Sequence, residues 1–113
     1  MRPRDAAGLL VSALVRAIEG AGGHAMVLAK GDATAGAILL VVADRGRATG
    51  VYERTLAADG RYAWTRTGPA EADDPAALSE WTARRRRADP DLWVVELDHA
   101  DPIPLAEAMM AGG

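Results

Sequence analysis

The chain has 113 residues, half of them hydrophobic and 26% charged, with a net charge of −3 and no cysteine. That length fits one domain, since separate cores need roughly 50 residues or more each, and the balance is that of a folded chain. The missing cysteines exclude disulfides, thiolate chemistry and cysteine-ligated zinc, and net acidity excludes a broad attraction for nucleic acid or anionic membrane.

The start, Met1-Arg2-Pro3-Arg4-Asp5, is basic, but the apolar stretch after it is interrupted by Ser12 and Arg16 and carries Glu19, so it reads as a folded helix and not as a signal peptide. The longest strong apolar run, Ala37 to Ala43, is far short of the roughly 20 residues that span a bilayer. A soluble, cytoplasmic protein with no membrane partner is the expectation.

From Gly8 to Gly22, Leu10, Leu14 and Ile18 recur every four residues beside Val11 and Val15, which predicts an amphipathic helix. Gly20-Ala21-Gly22-Gly23 is its stop. The period then shortens. His24 to Lys30 and Gly36 to Ala43 are short apolar runs bounded by Gly31-Asp32 and by Asp44-Arg45-Gly46, and both read as buried strands. Unbroken hydrophobicity in Ile38-Leu39-Leu40-Val41-Val42 predicts a central strand, covered on both faces or on one face by helices and on the other by a partner.

Ala48 to Leu56 and Arg61 to Thr67, joined through Ala58-Asp59-Gly60, read as a hairpin with a solvated face. Gly68-Pro69 and the acidic stretch Ala70 to Asp74 form a loop. Asp74 as N-cap with Pro75 at the first helical position opens a second helix, with Leu78, Trp81 and Thr82 inward. It ends in Arg84-Arg85-Arg86-Arg87, and Asp89-Pro90-Asp91 breaks it before a last strand, Leu92 to Asp98. The tail from Pro102 can add a short helix through Leu105 and Met109. The predicted fold is therefore one α+β domain over residues 1–113: a single layer of about five mostly antiparallel strands with two helices, in the order α-β-β-β-β-α-β. With no Phe, Trp64, Trp81 and Trp93 are the expected anchors of its core.

The helix ending before His24, the Lys30-Gly31-Asp32 and Ala35-Gly36-Ala37-Ile38 segments, Arg61-Tyr62-Ala63-Trp64, and Arg87-Ala88-Asp89-Pro90-Asp91-Leu92-Trp93-Val94-Val95-Glu96-Leu97-Asp98 together carry a likeness. The chain resembles a family of small alphaproteobacterial proteins described only as a domain of unknown function. The resemblance spans nearly the whole chain and implies an intracellular bacterial protein of this size. It implies no activity, cofactor or catalytic residue.

Arg84, Arg85, Arg86 and Arg87 are the strongest charge signal and could clamp phosphate or a carboxylate-rich partner, with Asp89 and Asp91 beside them. Four consecutive residues point around most of a helix, however, and cations complement a helix C-terminus, so a structural role is preferred. Asp89-Pro90-Asp91 reads first as a helix stop. Glu96, Asp98, His99 and Asp101 make the best metal-ligand grouping but lack the loop pattern of a hard-cation site, and His24 has no nucleophile arrangement beside it. Gly20 to Gly23 and Lys30-Gly31-Asp32 are not phosphate loops, because neither follows a strand and opens a helix. No catalytic, metal or cofactor site is predicted. The first functional expectation is a non-enzymatic interaction domain, self-associating or bound to another protein. The second is a nucleic-acid-binding module using Arg84 to Arg87 with Arg45, Arg47 or Arg61; the third is an enzyme whose site only the fold assembles.

Overall fold

The computed structural model describes residues 6–111, so the basic Met1–Asp5 segment and the last two residues of the tail lie outside the described residues. The elements run α1 (Ala6–Gly20), β1 (His24–Ala29), β2 (Ile38–Asp44), β3 (Arg47–Leu56), β4 (Tyr62–Thr67), α2 (Pro75–Ala88), β5 (Trp93–Asp98) and α3 (Pro102–Ala111).

α1 buries Ala7, Val11, Leu14 and Ile18, one stripe at helical spacing. It closes as the glycine cluster foretold. Gly22 takes the left-handed conformation at φ 89°, Gly22 N–H donates to Glu19 O, and Gly23 N–H donates to Ile18 O at 2.9 Å, which together satisfy carbonyls that the helix end would otherwise leave open.

The strands form one sheet in the order β1-β5-β2-β3-β4. The β2-β3 and β3-β4 pairs are the expected antiparallel hairpins. β1 does not pair with β2, as sequential connection would suggest. β5 enters between them, antiparallel to β1 and parallel to β2, so the sheet is mixed. The physical reason is burial. β5 is buried at Trp93, Val94, Val95 and Leu97 and β2 at every position but Asp44, and two such strands each gain most in the centre of a sheet.

Side chains alternate across the sheet and fill two cores. On one face α1 and α3 cover Ile38, Leu40, Val42, Trp64, Trp93, Val95 and Leu97. On the other, α2 lays Leu78 and Trp81 against Leu39, Val41, Val51, Leu92 and Val94. The tail helix α3 is thus a full participant, and the α+β fold has three helices among the described residues. Asp74 caps α2 as expected, its Oδ1 accepting Ala76 N–H at 3.0 Å.

β1 departs from expectation. It is an edge strand, and His24, Met26, Val27 and Leu28 are exposed. An uncharged apolar run reads the same in a buried strand and in an open edge, so periodicity alone could not separate them.

Candidate functional site

Among the described residues, three places bring candidate binding groups to the surface. The first is the end of α2. Arg85 grips Glu53 of β3 with both guanidinium nitrogens, each 3.0 Å from a carboxylate oxygen, and stacks over the Trp81 ring at 5.4 Å. The Glu53 hydrogen bond raises Arg85 above the ordinary guanidinium value, against the opposing effect of burial. Arg86 Nη1 donates to the carbonyls of Lys30 and Leu92. These two arginines therefore fasten α2 to the sheet. Arg84 and Arg87 are exposed and lie three residues apart on one helix side, Arg84 within 3.6 Å of the exposed Glu80.

Asp89-Pro90-Asp91 is a turn. The Asp89 carboxylate accepts Asp91 N–H at 3.1 Å, Leu92 N–H donates to Asp89 O, and the Asp91 carbonyl accepts Asp32 N–H. The Asp91 side chain is exposed. The six residues singled out from sequence thus sit around one helix end, where Arg85 and Arg86 make internal contacts and Arg84, Arg87 and Asp91 face outward.

The second place is an open cleft of about 500 Å³ at the C-terminal ends of the parallel strands β2 and β5. Both histidines of the chain, His24 and His99, line it with Asp44, Arg45 and Asp98. His24 stands opposite Asp98 in the β1-β5 register. Asp98 is occupied: its two oxygens accept the Arg45 and Gly46 N–H groups at 3.0 and 2.7 Å and so fix the β2-β3 turn. His99 Nδ1 accepts Asp101 N–H at 2.9 Å. Among the described residues no three His, Asp or Glu side chains are placed to hold a metal ion. In the sequence, His24 and the Glu96-Asp98-His99-Asp101 group stand far apart as separate candidates. Only the fold shows that both histidines share a cleft, because 75 residues separate them.

The third place is the β1 edge. Met26, Val27 and Leu28 are 60, 41 and 50% exposed, and no charged side chain lies between His24 and Ala29. The opposite edge, β4, carries Arg66, follows Arg61 directly, and otherwise shows Tyr62, Ala63 and Thr65 to solvent. Of the three tryptophans, Trp64 and Trp93 are buried and Trp81 is half-buried under α2.

The family described as a protein of unknown function (DUF1491) matches residues 6–107. The chain belongs to the DUF1491 family. Among solved structures, a crystal structure of a DUF1491 protein from Caulobacter crescentus is 34% identical, with a TM-score of 0.71, covering 86% of this chain and 90% of that one. A solution structure of a DUF1491 protein from the same organism is 36% identical, with a TM-score of 0.68 over 84% of this chain and 86% of that one. A solution structure of a protein from A. tumefaciens is 35% identical, with a TM-score of 0.61 over 82% and 84%. No curated protein matches. The resemblance read from the sequence is therefore to the right family, one that carries no assigned function, and among the described residues no helix is long and apolar enough to cross a membrane.

Proposed function

We propose that this DUF1491 protein is a small non-enzymatic interaction domain whose working element is the open edge of β1, where a partner strand extends the sheet. The contrast between the two sheet edges carries this reading. An edge strand presents a row of unpaired backbone groups, and proteins that must keep an edge free place charges, Pro or bulges there; β1 has its bulge only after Val27 and is regular from His24 to that point. β4 carries arginine, whereas β1 offers Met26, Val27 and Leu28 with no charge among them. Strand addition takes its affinity from backbone hydrogen bonds and its specificity from alternate side chains, which suits an edge of this composition. A cytoplasmic location fits the cysteine-free chain.

Nucleic acid is the competing partner, and the engagement of Arg85 with Glu53 and of Arg86 with backbone carbonyls weakens it. Within the run that leaves Arg84 and Arg87 outward, beside the exposed Arg45, Arg47 and Arg61 elsewhere, on a net-acidic chain. The test combines light scattering with 260/280 nm absorbance on wild type, Met26→Lys and the double variant Arg84→Ala, Arg87→Ala. Alongside, short synthetic strand peptides, one of residues 24–30 and others of unrelated apolar sequence, are titrated into isotope-labelled protein. Peptide-induced NMR shifts centred on β1, lost in Met26→Lys and kept in the arginine variant, support the reading. Peptides that all leave β1 unmoved overturn it, as does nucleic acid that co-elutes with wild type and disappears with the two arginines.

A further inference from the structure

We infer that the strand received by β1 is β1 of a second copy, paired antiparallel across a two-fold axis at Met26 to give one continuous ten-stranded sheet. The inference rests on the reading of β1 as the interaction edge and names its occupant.

Three observations point to β1, and to Met26 within it, as the place where two copies meet. β1 carries no charge between His24 and Ala29, so two copies meet without like-charge repulsion, whereas two β4 edges would bring Arg61 and Arg66 of each chain together. A β1-to-β4 contact is head-to-tail and leaves a free edge at each end, so it would propagate into a filament. β1 against β1 is isologous and closes, leaving only arginine-bearing β4 edges outermost. The third observation concerns Met26 itself. Met26 pairs with Glu96, which alternates with Val95 and Leu97 of the α1-side core, so Met26 points to the α2 side of the sheet. α2 docks farther along the sheet through Leu78 and Trp81, and Met26 stays 60% exposed.

The position of the axis follows from strand geometry. A two-fold perpendicular to the sheet keeps each face on its own side, and neighbouring residues of a strand point to opposite faces. The axis must therefore pass a residue that pairs with its own copy. Pairing of β1 with β5 is regular from His24 to Val27 and shifts between Val27 and Ala29. An axis at Met26 pairs positions 24 with 28 and 25 with 27, staying almost entirely within the regular stretch. An axis at Val27 would carry the ladder through the bulge to Lys30, and an axis at Ala25 would run it off the strand onto Gly23 and set Met26 against His24 of the other copy. At Met26 the two methionines cover each other on the face that α2 leaves open. On the opposite face the two α1 helices, each packed over β1 and β5, come side by side.

Because the chain has no cysteine, single cysteines report the pairing directly. His24→Cys, Met26→Cys, Leu28→Cys and, on the far hairpin, Leu56→Cys are each oxidised and run without reductant, with folding checked by tryptophan fluorescence. Cβ atoms of a self-paired residue lie about 5 Å apart, within disulfide reach. Residue 24 or 28 is displaced from its own copy by four residues, about 14 Å, and cannot bridge. Met26→Cys is expected to cross-link in high yield and the other three to stay monomeric. Wild-type light scattering should rise with concentration from 11.8 kDa toward twice that mass, a rise that Met26→Lys abolishes. Equal cross-linking at 24, 26 and 28 would mean parallel pairing, and cross-linking through Leu56→Cys would put the contact elsewhere. Either result overturns the inference. A wild type that stays monomeric and a Met26→Cys variant that does not cross-link also overturn it, while β1-centred shifts with a strand peptide unrelated to residues 24–30 would still hold for the edge reading.

Discussion

Arg85 of α2 and Glu53 of β3, 32 residues apart, meet in a two-pronged ion pair with both distances at 3.0 Å, the side chains 30 and 25% exposed. α2 buries no residue fully, so this pair, the half-buried Leu78 and Trp81, and the Arg86 bonds to two carbonyls hold the helix on its face. Arg85→Ala removes the pair and leaves Glu53 facing a half-buried gap. It should cost about 1–2 kcal/mol, the range for a hydrogen-bonded charge in a partly solvated site. Urea unfolding checks this, and the loss should shrink in high salt.

The outward arginines should behave differently. Arg84→Ala with Arg87→Ala is expected to change stability by less than about 0.5 kcal/mol, because exposed ion pairs such as Arg84–Glu80 contribute little. Replacing Arg85 and Arg86 should lower it measurably. A binding assay that exchanges all four arginines would therefore confuse lost recognition with a loosened helix, and thermal unfolding of the two double variants separates these effects.

Trp93 and Trp64 make a second contrast. Trp93 Nε1 donates to Asp32 O at 2.8 Å, whereas Trp64 Nε1 is buried with no acceptor among the described residues. Trp93→Phe thus breaks a bond and leaves a carbonyl less satisfied, for about 1–3 kcal/mol beyond the lost volume. Trp64→Phe removes an unpaired buried donor, which offsets part of its lost volume, and should be the milder change. Parallel denaturation curves of the two variants decide it.

The loop that receives Trp93 is built on close approach. A Cβ on Gly31 or on Gly36 would run into Asp91 O and come within 2.6 or 2.8 Å of Trp93 Cδ1. Neither the backbone carbonyl nor the buried ring can move aside. Gly31→Ala and Gly36→Ala should each destabilise by about 1–3 kcal/mol, the scale of overpacking a filled site. Gly20→Ala, where nothing lies within 4 Å, is the control, and melting temperatures of the three variants give the comparison.

Local signals in this sequence were legible because local physics sets them. The α1 stripe, the Gly22-Gly23 stop, the Asp74-Pro75 start and the β2-β3 and β3-β4 hairpins all depend on residues a few positions apart. What long-range pairing decides was not legible. The insertion of β5 between β1 and β2 follows from the competition of all strands for the sheet centre. That insertion sends His24-Ala25-Met26-Val27-Leu28-Ala29 to the edge, although its composition suits burial equally well. The candidate site divides the same way. The arginine run is plain in the sequence, but the engagement of Arg85 and Arg86 depends on Glu53, Lys30 and Leu92, and the meeting of His24 with His99 depends on the whole fold.

Amide hydrogen exchange, followed residue by residue at low and high protein concentration, tests the role of β1 most directly. The outward-facing amides between His24 and Leu28 should exchange fast when dilute and become protected when concentrated, while the outward amides of β4 from Tyr62 to Thr67 stay fast throughout. If β1 and β4 exchange alike, and neither slows as concentration rises, β1 is not where two copies of this protein meet.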